Sequence, residues 1–165
     1  SPPGCASEYR RAGFVQRASH LRGKRGRAVI PDRVFSMQMT YAKEEADARN
    51  EADVEGEWTW GVSRQWSYAD WQDVLSPKLE EWSKLTWGEI DRFSSSSGHK
   101  MHHNMNTDAI CEEAQYRMVE VDRYSEVIFR FRLGNKRRLW GFRIVNRFEI
   151  LWYDPTHAIY PVDPD

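Results

Sequence analysis

The chain has 165 residues, 40% of them hydrophobic and 13% aromatic, with 24 basic and 25 acidic side chains and a formal net charge of −1. That length fits one ordinary domain, and eight tryptophans argue against wholesale disorder. A multidomain enzyme, a collagen-like repeat and a cysteine-stapled miniprotein are excluded; an anionic partner is not, because a net charge averages over patches.

Residues 1–33 form a basic, Gly/Arg-rich N-terminal arm, with eight Lys/Arg against two acids. Such an arm follows a phosphate backbone, neutralises an acidic partner or stays solvated. Residues 34–165 read as a single α+β domain. In 34–41, Val34, Ser36, Gln38 and Thr40 alternate with Phe35, Met37, Met39 and Tyr41, the pattern of a half-buried strand. Residues 43–57 carry seven acids against Lys43 and Arg49 and read as a solvated helix or loop. They are also a potential partner for the arm. Residues 57–69 are aromatic and irregular, with Trp58, Trp60 and Trp66 open to stacking on bases or to core packing.

Trp71, Leu75, Leu79 and Trp82 recur at helical spacing and predict a helix over 70–85. Pro77 moves its expected start toward Ser76, because proline is tolerated in a first turn and not in an interior one. Thr86 and Glu89 have the spacing of a capping box. SSSSG at 94–98 reads as a flexible break. A second helix is predicted over 108–121, capped by Thr107 or Asp108, with Ile110, Ala114, Met118 and Val121 inward and Cys111 beside them. Three strands follow at 127–133, 138–145 and 148–153, joined by turns at Gly134–Lys136 and Asn146–Arg147. The expected fold class is therefore α+β: a small antiparallel sheet with helices packed on one face.

Residues 130–147 hold seven basic side chains and no acid. Arg130, Arg132 and Arg143 fall on alternating strand positions and Arg138 stands nearby, a set able to form a basic face. The last strand runs into Trp152, Tyr153, Asp154, Pro155, Thr156 and His157. Residues 108–161, ending in this run, resemble the small ribonuclease toxins of the RelE/ParE superfamily. The resemblance implies a RelE/ParE-like sheet with basic residues on its open face. It also implies a toxin–antitoxin function: a metal-independent endoribonuclease, that is, a hydrolase acting on RNA. RNA, free or ribosome-bound, and a small inhibitor protein (an antitoxin) are its implied partners. The chain departs from that family in its greater length, its acidic middle and its helical region ahead of the meander.

Cleaving RNA without a metal needs a base for the 2′-hydroxyl, an acid for the leaving oxygen, and cations for the transition state. His157 or His102 is the expected proton-transfer group, with His99 and Lys100 beside the latter in GHKMHH. Arg130, Arg132, Arg138 and Arg143 are the expected phosphate-binding set. The histidine spacing with no CxxC or HExxH predicts no metal, and no cofactor fingerprint is present. The competing reading is a non-catalytic module binding nucleic acid or protein on the same scaffold. Histidines on the opposite side of the sheet from the arginines would exclude the enzyme. Two distant cysteines, Cys5 and Cys111, suggest thiols in a reducing cytoplasm. Neither a secretory leader nor a membrane span is expected.

Overall fold

The structure, a computed structural model, describes residues 32–47, 66–93 and 101–161. The arm, most of the acidic stretch, Trp58, Trp60, the SSSSG break, His99 and Lys100 lie outside the described residues.

The chain enters through one helical turn, α1 (Asp32–Phe35), and only then forms β1 (Thr40–Ala42). The strand expected over 34–41 is thus correct only at its end. The Val34 carbonyl accepts the Met37 N–H, which closes a turn, and Val34 and Met39 are the fully buried residues of the segment, with Met37 and Tyr41 packed partly buried against the same core. A second helix, α2, begins at Tyr68–Asp70, passes through a π-helical turn at Trp71–Leu75 and continues as Ser76–Ser83. Its cap is Ser67, in a capping box with Asp70, not Ser76. The Ser76 N–H bonds back to the Trp71 carbonyl, and this wider turn admits Pro77 without breaking the helix. Thr86 and Glu89 form the expected capping box at the head of α3 (Trp87–Asp91).

After β2 (His103–Asn106) and a short 3-10 turn at Thr107–Ala109, α4 runs over Glu112–Glu120. Its N-cap is Cys111, so the helix starts later than Thr107 or Asp108 would place it. Thr107 instead donates its hydroxyl to the Ser125 carbonyl. Cys111, expected as an inward-packed thiol, is disulfide-bonded, which removes that reason for inferring a reducing compartment. The chain ends in β3 (Val127–Gly134), β4 (Arg137–Ile144) and β5 (Arg147–Asp154), the expected antiparallel meander. Among the described residues the strand order is β1-β5-β4-β3-β2. β1 joins β5 in parallel, so the sheet is mixed rather than purely antiparallel.

The fold is therefore α+β with a small sheet, and α2 and α3 pack on one of its faces. Leu75, Leu79, Trp82, Trp87 and Ile90 meet Phe129, Phe131, Phe148 and Ile150 there. Trp82 stacks on Phe131 at 4.2 Å between ring centroids, nearly parallel. Each such large side chain contributes roughly 2–3 kcal/mol of burial. Ile128, Trp140 and the neighbours Leu151 and Trp152, which share one side at the register shift beside Gly141, form a second core with Ala114 and Met118 of α4 and with Ile159. The face opposite α2 and α3 is thus not an open one. No helix among the described residues is long and apolar enough to cross a membrane.

Candidate functional site

β3 and β4 pair only as far as Phe129 and Gly141. Beyond that point Ile128 and Val127 stay with β2, while Phe142, Arg143 and Ile144 stay with β5. The sheet forks, and a half-open cleft of about 320 Å³ is lined by both prongs and by the loop from Asp122 to Ser125. The loop is set by the end of α4. Asp122 takes φ 56°, the Arg123 N–H bonds to the Met118 carbonyl, and the Asp122 N–H bonds to that of Val119. These are the paired bonds of a Schellman turn, with Asp122 in the left-handed position usually given to glycine.

Val127, Phe129, Phe142 and Ile144 supply apolar walls, and Asn104, Tyr124 and Ser125 add polar groups. Two arginines stand among them. The Arg143 guanidinium lies 3.9 Å over the Trp87 ring and holds Asp91 through both terminal nitrogens, at 3.0 and 3.5 Å. Burial pulls Arg143 below its ordinary pKa, with Asp91 opposing that shift. Arg123 bonds Glu149 at 2.8 Å, reaches the exposed Glu45 at 3.3 Å, and lies over Phe142. Buried Trp, Phe and guanidinium groups of this kind combine dispersion with cation–π attraction.

The arginines expected to form one basic face separate. Arg130 and Arg132 alternate with Phe129 and Phe131, and Arg138 lies across the ladder from Arg132, so these three share one face. Arg143 stacks on Trp87 and Phe129 on the other. Arg130 and Arg138 are fully enclosed and Arg132 is 8% exposed. Arg130 is pulled down to about 9 by burial and by the charges of Arg138 and Arg132. His102 sits on the opposite face from these three, its ring among Trp82, Phe93 and Phe131. Its Nδ1 accepts the Arg132 backbone N–H at 3.1 Å. Burial first, and then the charge of Arg130, push it down to about 3, so it stays neutral at physiological pH. His157 follows β5 with φ 60° and is half-buried. Among the described residues no cluster of three or more His, Cys, Asp or Glu is placed to hold a metal.

No family model, no curated protein and no solved structure matches the chain. The toxin–antitoxin, RelE/ParE-like, RNA-binding endoribonuclease and hydrolase expectation is therefore corrected: none of these comparisons supports it. That expectation required basic residues on an open sheet face, and the structure buries three of the four, Arg130, Arg132 and Arg138. Of the two histidines expected to transfer protons, His102 is a buried hydrogen-bond acceptor on the other face, whereas His157 follows β5, whose Asp154 pairs with Arg138.

Several key residues have no signal in the sequence. Asp91 and Arg143 are 52 positions apart, and Asp47 and Arg117 are 70 apart. Neither pair belongs to a local motif.

Two predictions arise from this geometry. Because the unfolded chain protonates His102 near pH 6.5 and the folded chain only near 3, the unfolded state binds the extra proton between those values. Stability from this group is present above pH 6.5 and lost as pH falls toward 3. The loss amounts to about 2 kcal/mol by pH 5. His102→Asn keeps an acceptor near the Arg132 N–H and removes the titration. Urea midpoints from pH 7 to 5 are expected to fall less in the variant than in the parent; equal slopes refute the assignment. Second, Val145 is β-branched, 55% exposed and at φ 56° in the β4–β5 turn, a conformation that costs a non-glycine residue about 1–2 kcal/mol. Val145→Gly is expected to stabilise the fold by about 1 kcal/mol in chemical denaturation.

Proposed function

We propose that the chain is a non-catalytic protein-binding module whose partner engages the fork of the sheet and the adjoining β4–β5 turn. The observation that carries this reading is the juxtaposition of the cleft with exposed apolar side chains at its rim. Ile144 lines the cleft and is 44% exposed, and Val145 follows it in the strained turn. A strained, exposed apolar turn beside a partly apolar cleft is costly to a protein that keeps it free in water, and it suits a docking element. Nucleic acid is less favoured at this place, because the cleft arginines are already met by Asp91, Glu149 and Glu45.

The test is site-specific photo-crosslinking in the chain's own host cells. A photoreactive residue is placed at Val145 and, as a control, at the exposed Lys136 in the turn between β3 and β4. The expected result is a discrete protein adduct from position 145, absent at 136 and lost when Ile144→Lys is added. Equal adducts at both positions, or nucleic acid as the sole adduct, overturns the reading.

A further inference from the structure

We infer that the fork cleft is a subsite for a neutral peptide segment, which places a backbone carbonyl on the Nε–H of Arg143 and an apolar side chain against Phe129 and Phe142. The inference rests on the protein-binding reading and names the chemistry of the partner at that site.

The first support is an unmet donor. The Arg143 side chain is only 5% exposed, and both of its terminal nitrogens are taken by Asp91. Its Nε is buried and has no hydrogen-bond partner. A buried N–H without an acceptor is unfavourable; Arg143 lines the cleft, and an acceptor that enters there and reaches the Nε as the side chain adjusts would remove that penalty. The second is charge. Arg143 is balanced by Asp91, and Arg123 shares Glu149 with Arg147 and also meets Glu45, so three guanidiniums face three acids. An incoming carboxylate or phosphate therefore meets guanidiniums already paired with acids, together with Asp122 on the cleft wall. A carbonyl oxygen satisfies the donor without adding charge. The third is shape. The walls from Val127, Phe129, Phe142 and Ile144 are apolar, and the volume of about 320 Å³ suits one residue with its flanking peptide groups.

The probe is N-acetyl-leucine methylamide, a neutral single-residue peptide, titrated into the 15N-labelled full chain. The readout is the Arg143 Nε–H resonance with the backbone amides of Ser125 and Ile144. Saturable shifts at these positions are expected, with a dissociation constant of about millimolar order for so small a ligand. The matching carboxylate, N-acetyl-leucine, is expected to bind about fivefold more weakly. Raising the salt tenfold is expected to change the affinity of the neutral probe less than about twofold. Arg143→Lys keeps a cation for Asp91 and deletes the Nε donor, so it is expected to abolish the preference for the amide. Ile144→Ser, an exposed position compatible with folding, is expected to weaken binding about fivefold and keeps the test decisive should the lysine variant unfold. No saturable shift up to about 50 mM probe, or binding of the carboxylate as tight as that of the amide, overturns the inference. Probe binding without a protein adduct at position 145 would retain the subsite and remove the protein-binding reading; the reverse pattern would retain the module and remove the subsite.

Discussion

Replacing Asp47 with alanine is expected to destabilise the protein by roughly 3–5 kcal/mol. Asp47 comes from the acidic stretch and is nevertheless almost fully buried. Its two oxygens accept from Nε and Nη2 of Arg117, both at 2.8 Å, and one oxygen also accepts the Trp152 indole N–H at 3.0 Å. The Asp47 backbone N–H bonds to the Leu151 carbonyl, so the residue joins the chain after β1 to both β5 and α4. Alanine leaves a guanidinium with 7% exposure facing a void, and the neighbouring Glu120 at 3.6 Å is a poor substitute. The buried charge, not the lost bond, sets the magnitude. A double variant, Asp47→Leu with Arg117→Met, removes both charges and is expected to recover most of the loss. Equilibrium unfolding in urea measures all three chains. A single-variant loss under about 1 kcal/mol, or no recovery in the double variant, would show that the pair is not the clamp described.

The second large effect is expected at Gly141, where alanine should cost at least about 3 kcal/mol. The register between β4 and β5 shifts between Trp140 and Gly141. That irregularity brings the Glu149 carbonyl oxygen to 2.0 Å from the position a Cβ would take, with Phe148 Cε1 at 2.9 Å. The oxygen belongs to the backbone of a paired strand inside the sheet, so it cannot swing aside. Gly141 is also the last β4 residue paired with β3, which places it at the root of the fork. Gly141→Ala is therefore expected to perturb the cleft as well as lower the denaturation midpoint. Gly134→Ala is the contrast. A Cβ there meets nothing within 4 Å, and only its φ of 104° opposes the change, at about 1–2 kcal/mol. Comparable midpoints for the two variants would contradict the close-approach argument.

How far the fold was legible varies by element. The three strands of the meander were legible because the first two alternate apolar with polar residues, the last is a short, nearly apolar run, and polar turns separate them. The Thr86–Glu89 box was legible because capping is local chemistry. The strand expected over 34–41 was misread because alternation over so few residues is also compatible with a turn that fully buries only Val34 and Met39. The start expected near Ser76 was placed too late because the π-helical turn that admits Pro77 is a rare backbone solution that no local composition announces.

The candidate site was less legible still. Arg143 was singled out for its charge, yet its position depends on Trp87 below it and Asp91 beside it. His102 was singled out for its chemistry, and the core then used it as an acceptor for the Arg132 N–H.

The sequence by itself determined the α+β class, the meander and the near-neutral total made of opposed charge blocks, because periodicity, turn residues and charge counts are properties of neighbours along the chain. The tertiary structure alone decided that both sheet faces are covered, which arginines are enclosed, and where the sheet forks. Those outcomes depend on which residues meet across tens of positions. Burial and pairing there change a guanidinium from a free cation into a packed, neutralised part of the core.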